Sequence, residues 1–157
     1  MVEKLNRSPS GAPVLDDRLR DAGKPVFGLE TVGENLAVYA ELPESQQIDF
    51  LRSTVTAFEM PSQIRRTVRE ADIRAYLAGD TGFLLQRWNA AFSGGGPARR
   101  QFGDRLLRER SVLFVERMVP WIEKGGTFFA IGAAHLPGKD GVIARLQGRG
   151  FNVTRVY

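Results

Sequence analysis

The chain has no cysteine and a single histidine in 157 residues. The first absence excludes disulfides and thiolate metal sites and leaves the redox compartment open. The second means that one imidazole ligand or one imidazole base is all this sequence offers, which is too little for a whole metal site. No apolar run approaches the roughly 20 residues that a membrane-spanning helix needs. The first ten residues, Met1 to Ser10, hold no apolar core of a signal peptide, and none is expected in the chain as written. Lysine is scarce as well: 22 basic residues against 18 acidic ones give a net charge of +4, yet only four are lysines. Adjacent basic pairs are confined to Arg65-Arg66 and Arg99-Arg100, with few aromatics interleaved. A nucleic-acid surface is therefore disfavoured against an ordinary arginine-rich solvated face.

What is present fits one globular domain. The apolar and charged fractions, 43% and 25%, are ordinary, and the length can bury a useful core. Residues 1–13 are polar and rich in Ser, Pro and Gly, predicting a flexible lead-in before a domain spanning 14–157. Val14 to Ala22 predicts a short helix closed by Gly23, and Lys24 to Glu30 a short strand. Pro43 opens a helix in which Ile48, Leu51, Val55 and Phe58 recur at helical spacing. Pro61 breaks it, and Ile64, Val68, Ile73 and Leu77 predict the next, ending at Gly79. Leu84 to Phe92 is a further short helix, and Ser93 to Pro97 a loop. A long helix is expected from Ala98 to a kink or stop at Pro120, with Leu106, Leu107, Leu113, Phe114 and Met118 as its apolar stripe. Arg110 and Arg117 fall within that stripe. For Arg117 snorkelling to water is expected; for Arg110 a buried partner is nearly as well supported, with Glu30 the candidate.

The last third carries the most information. An apolar run, Thr127 to Ile131, predicts a buried strand. It leads into Gly132-Ala133-Ala134-His135, then Leu136-Pro137-Gly138 and Gly141, a helix over Val142–Gln147, a stop at Gly148 to Gly150, and an alternating strand from Phe151 to Val156. The expected fold is α/β: a small, mostly parallel sheet under a predominantly helical layer, because the connection between the last two strands contains a helix. Glu30 and His135 would then emerge from the same sheet edge, each preceded by a glycine, Gly28 or Gly132, that permits close backbone approach. A carboxylate and an imidazole together suit a divalent cation or an acid–base pair. An ion pair of Glu30 with an arginine, and a histidine capping the helix near Pro137, explain the same residues at least as well. Gly94 to Gly96 lacks a Walker lysine and a preceding strand, and no second histidine supports a serine triad.

The residues Gly28 to Thr31, Glu109-Arg110 on a long helix, and Gly132 to Gly138 followed by Gly141 resemble the TraB/GumN family. That family includes plasmid pheromone-shutdown proteins, GumN proteins and the animal Tiki proteases. The likeness runs from about Leu15 to Tyr157, is strongest in the last 33 residues, and extends to Leu42 through Gln47. It implies the C-terminal half of a metal-dependent hydrolase or peptidase, with Glu30 and His135 as catalytic residues and ligands of a divalent metal (zinc, manganese or cobalt), and Arg110 as a supporting charge. It also implies an N-terminal half with another Gly-x-x-His motif, for which this chain has no counterpart. Ser111 stands where the family commonly has asparagine. The expectation is a catalytically silent chain without tightly bound metal, partnered by such a half or by itself, with a peptide as substrate and an extracytoplasmic location. The alternative is a non-catalytic binding or assembly domain, linked to exopolysaccharide production, that keeps the fold.

Overall fold

The computed structural model describes residues 13–94 and 96–156, with side-chain surroundings from residue 17 onward. The lead-in expected over 1–13 lies outside the described residues except for Pro13, which opens the first helix. The helices are α1 (Pro13–Asp21), α2 (Val32–Ala40), α3 (Glu44–Glu59), α4 (Ser62–Leu77), α5 (Thr81–Ser93), α6 (Gly96–Asp104), α7 (Arg110–Lys124) and the short α8 (Val142–Gln147). A π-helical turn, Arg105–Glu109, joins α6 to α7, and a 3₁₀ turn, Ala133–His135, carries the histidine. No helix among the described residues is long and apolar enough to cross a membrane.

The expected parallel sheet is absent: among the described residues there is no strand, and the fold is all-α. The runs Lys24 to Glu30, Thr127 to Ile131 and Phe151 to Val156 are irregular. They pack side chains against helices and make no backbone ladder with one another. Leu29, Phe129, Ile131, Phe151 and Val153 all lie on a core built from Val115 and Met118 of α7 and Val142 and Leu146 of α8. A short apolar run tells that its side chains are buried, but not whether its backbone finds a ladder partner.

The spine is the continuous rod α6–π turn–α7. Its first part gives Phe102 and Leu106 to a second core with Val38 and Leu42, flanked by Tyr39, Trp88 and Phe92. Edge-on ring contacts of Phe102 with Tyr39 (5.6 Å) and Phe50 (5.3 Å) hold α2 and α3 to this end. Gly103 permits the close crossing of α5 over the rod, since a Cβ there would lie 2.7 Å from the Phe92 ring. The rod does not stop at Pro120, which sits inside α7; the helix ends four residues later at Lys124 and is capped by Gly125, whose φ is 73°. The expected loop at 93–97 is shorter than predicted, because α6 already starts at Gly96; Gly95 lies outside the described residues.

Helix α2 was not expected. Its start is fixed by a capping box in which the Thr31 hydroxyl accepts from the Glu34 amide (3.1 Å) and the Glu34 carboxylate accepts from the Thr31 amide (2.7 Å). The apolar spacing read in α3 and α4 is correct for helices but not for core. Leu51, Val55, Phe58, Ile64, Ile73 and Leu77 are exposed, and α3 has no buried residue.

Candidate functional site

The π turn builds the site. A π turn disturbs the regular pairing of successive carbonyls and is frequent at functional sites. Here the Leu106 carbonyl accepts from the Arg110 guanidinium (3.3 Å) and the Leu107 carbonyl from the Ser111 hydroxyl (2.7 Å). The two side chains that follow the turn are thereby oriented by their own helix.

Arg110 meets Glu30 in the bidentate geometry suited to guanidinium and carboxylate, Nε to Oε2 at 2.9 Å and Nη2 to Oε1 at 2.5 Å. Their side chains are 22% and 15% exposed. Asn35 Nδ2 donates to Glu30 Oε1 at 3.0 Å as well, so both carboxylate oxygens are engaged. The partner proposed for Arg110 from the sequence is therefore the one it has. Arg117 differs from expectation. Rather than snorkelling, it donates to the carboxylate of Glu34 (2.6 and 2.8 Å) and to the Leu29 carbonyl (2.8 Å), tying the cap of α2 to α7. The Arg117 hydrogen bond is the main reason that the Glu34 carboxyl falls from 4.5 to about 2. The Thr31-x-x-Glu34 pattern carried the signal for this missed pair.

His135 is buried on the far side of a ring stack. The Arg110 guanidinium lies over Phe114 (5.3 Å to the ring centroid), and Phe114 packs on the imidazole at 5.0 Å. Ser111 Oγ lies 2.9 Å from His135 Nδ1. A hydroxyl has one hydrogen, and Ser111 gives it to the Leu107 carbonyl, so Nδ1–H is the donor to Oγ. The remaining lone pair is on Nε2. It has no hydrogen-bond partner among the described residues, where no polar side-chain atom is both buried and unpartnered; Nε2 therefore reaches solvent. Burial, and then the positive charge of Arg110, pushes the imidazole down from 6.5 to about 4, against opposing effects of Leu107 and Glu30. The ring is neutral at physiological pH. Ser111, itself 1% exposed, is thus a positioning residue for the histidine and too enclosed to be a nucleophile.

Close backbone approach was expected at Gly132. Its φ is −59°, and a Cβ there would make only an ordinary 3.5 Å contact with the His135 ring. The demanding glycine of the motif is Gly141, where a Cβ would fall 2.5 Å from the Leu136 carbonyl oxygen and closer still to that of Pro137. Beside His135 opens a cleft of about 410 Å³, to which Trp88, Phe92, Arg100, Arg108, Lys139 and His135 itself contribute.

Glu30 and Arg110 pair directly, and Phe114 stands between the Arg110 guanidinium and the His135 ring. The model of the TraB/PrgY/gumN family matches residues 3–155. The chain belongs to the TraB/PrgY/gumN family. No curated protein and no solved structure matches this TraB/PrgY/gumN chain.

A metal, as implied for the family, finds little here. Both Glu30 oxygens are committed to Arg110 and Asn35, and no three His, Asp or Glu side chains among the described residues are placed to hold an ion. One open imidazole nitrogen does not fit the three protein ligands usual in a catalytic zinc site.

The histidine also sets a pH response. Between about 6.5 and about 4 the unfolded chain takes up a proton that the folded imidazole resists, so stability falls as pH drops through that window. Glu34 adds a second loss lower down, between 4.5 and about 2, as its paired carboxylate is protonated. Urea titrations at pH 7 and pH 5 should show the first loss in the parent and not in His135→Gln; an unchanged pH dependence would place the effect elsewhere.

Proposed function

We propose that this chain contributes the histidine of a hydrolytic centre of the TraB/PrgY/gumN type, acting on peptides, and that it is catalytically silent by itself. The observation that carries this reading is the Ser111–His135 contact. It commits the proton to Nδ1 and leaves a neutral imidazole with its Nε2 lone pair open, the form that can take a proton from a water or a substrate. Glu30 and Arg110 act in this reading as a rigid brace that holds Phe114 against the ring. They do not serve as a second catalytic pair, because their charges already satisfy each other.

The test is nitrogen NMR on the chain's single histidine together with a peptide-hydrolysis assay. The expected result is an Nδ1–H tautomer that persists to well below pH 6.5, no turnover by the chain alone with or without Zn²⁺, Mn²⁺ or Co²⁺, and loss of the tautomer preference in Ser111→Ala. An Nε2–H tautomer would remove the basis of the reading, as would turnover by the isolated chain that survives His135→Ala.

The engaged state of Glu30 favours a second reading, a non-catalytic binding or assembly domain in which the Glu30–Arg110 pair is purely structural. Peptide binding that is never followed by cleavage, and that is indifferent to His135→Ala, would decide for it.

A further inference from the structure

The cleft beside His135 has a chemistry that the brace and the histidine do not explain. Its volume, about 410 Å³, is that of a small-molecule site. One part of its lining is aromatic, with Trp88 and Phe92 half-buried and their ring centroids 4.8 Å apart. Three cations also line it, and they are not equivalent. Arg108 is held by Asp104 (3.6 Å) and Asp140 (3.2 Å), whereas Arg100 and Lys139 have no acidic partner among the described residues. Asp140 also pairs with Arg145 (3.7 Å), so the two lining acids are matched by two arginines, whereas the two exposed cations Arg100 and Lys139 are left over. With them stands a neutral imidazole whose open nitrogen accepts a hydrogen bond.

We infer that this cleft binds a carboxylate carried on an apolar or aromatic body, its body on Trp88 and Phe92 and its anion toward Arg100 and Lys139. The aromatic surface rewards burial of the body, and the unpaired cations reward the anion. A cationic ligand or a free metal ion meets the opposite arrangement, since Asp104 and Asp140 already pair with Arg108 and Arg145. A peptide C-terminus ending in an apolar residue and a free aromatic acid share this chemistry. The peptide end has in addition an amide N–H to give to His135 Nε2. In naming a ligand class, the inference rests on the reading of His135 as a neutral acceptor.

Trp88 is a built-in reporter, because the chain has only two tryptophans. In a Trp121→Phe background its fluorescence can be titrated with N-acetylphenylalanine, with the corresponding amide, and with 3-phenylpropanoate. The expected result is a saturable change, with N-acetylphenylalanine bound about tenfold more tightly than its amide, as expected for a charge-assisted hydrogen bond. That margin should fade with added salt and vanish in the Arg100→Gln, Lys139→Gln double variant. N-acetylphenylalanine outranking 3-phenylpropanoate would assign the site to a peptide terminus, and the reverse order to a free acid; either order supports the carboxylate site. Equal binding of acid and amide would overturn the proposal, as would the absence of any saturable change in a protein whose helical circular dichroism is intact. The histidine tautomer measured on the same sample keeps the two readings apart. A failed titration with Nδ1–H in place removes the ligand and leaves the histidine's role, whereas an Nε2–H tautomer removes that role whatever the titration shows.

Discussion

Replacing Arg110 by methionine is expected to destabilise the fold by roughly 3 kcal/mol, the scale on which breaking a desolvated ion pair costs stability. Methionine keeps much of the volume but leaves Glu30, a carboxylate only 15% exposed, with Asn35 alone as partner. The Leu106 carbonyl at the π turn loses its guanidinium donor at the same time. The Arg110→Met, Glu30→Leu double variant should recover a good part of the loss, because it removes the stranded charge rather than one end of the pair. Urea unfolding of the two single variants and the double variant checks this. A single Arg110 variant as stable as the parent would show that the pair is solvated in practice and that the brace against Phe114 does not depend on it.

Substitution of Gly141 by alanine is expected to cost about 3 kcal/mol, near the upper end of what overpacking usually costs. The neighbours that the methyl group would meet are carbonyl oxygens of Leu136 and Pro137, part of a backbone that cannot rotate out of the way as a side chain would. The only relief is to open the 136–141 loop. That loop includes Gly138 and Lys139 of the cleft and accepts the Ile143 amide on the Leu136 carbonyl (3.4 Å). Gly132→Ala is the control, expected to be close to neutral because its Cβ has room. Thermal unfolding of the two alanine variants side by side should separate them by many degrees; similar melting temperatures would mean that the 136–141 loop yields easily.

Helices were legible wherever their information is local. Pro43 and Pro61 set where α3 and α4 begin, and the local pattern gave α3, α4 and α8 nearly to the residue, while α5 was read three residues late at its start. The stripe on the long rod was legible too, since Leu106, Leu107, Phe114 and Met118 are all buried and only Leu113 is half-exposed. Helix α2 was missed although Thr31-x-x-Glu34 is a readable cap, because the residues before it were read as a strand. The reading of Pro120 as a kink or stop gave it too much weight against a helix already packed on both sides of that position.

For the site, residue types at the right spacing named Glu30, Arg110 and His135, and the ion pair between the first two followed from one arginine facing inward. What Arg117 binds and why Glu30 is closed to other ligands did not follow, because both depend on α2 lying against α7, and what Ser111 does depends on the 3₁₀ turn at 133–135 meeting α7. The sequence by itself determined the helical segments apart from α2, the inward arginine at 110, the lone histidine and the family. A helix is closed by bonds between residues four apart, so a short stretch of chain contains its own instructions. Tertiary structure decided that the apolar runs at 24–30, 127–131 and 151–156 lie against helices instead of pairing as strands. A sheet needs bonds between segments distant in sequence, and whether those segments meet is settled only when the whole chain packs.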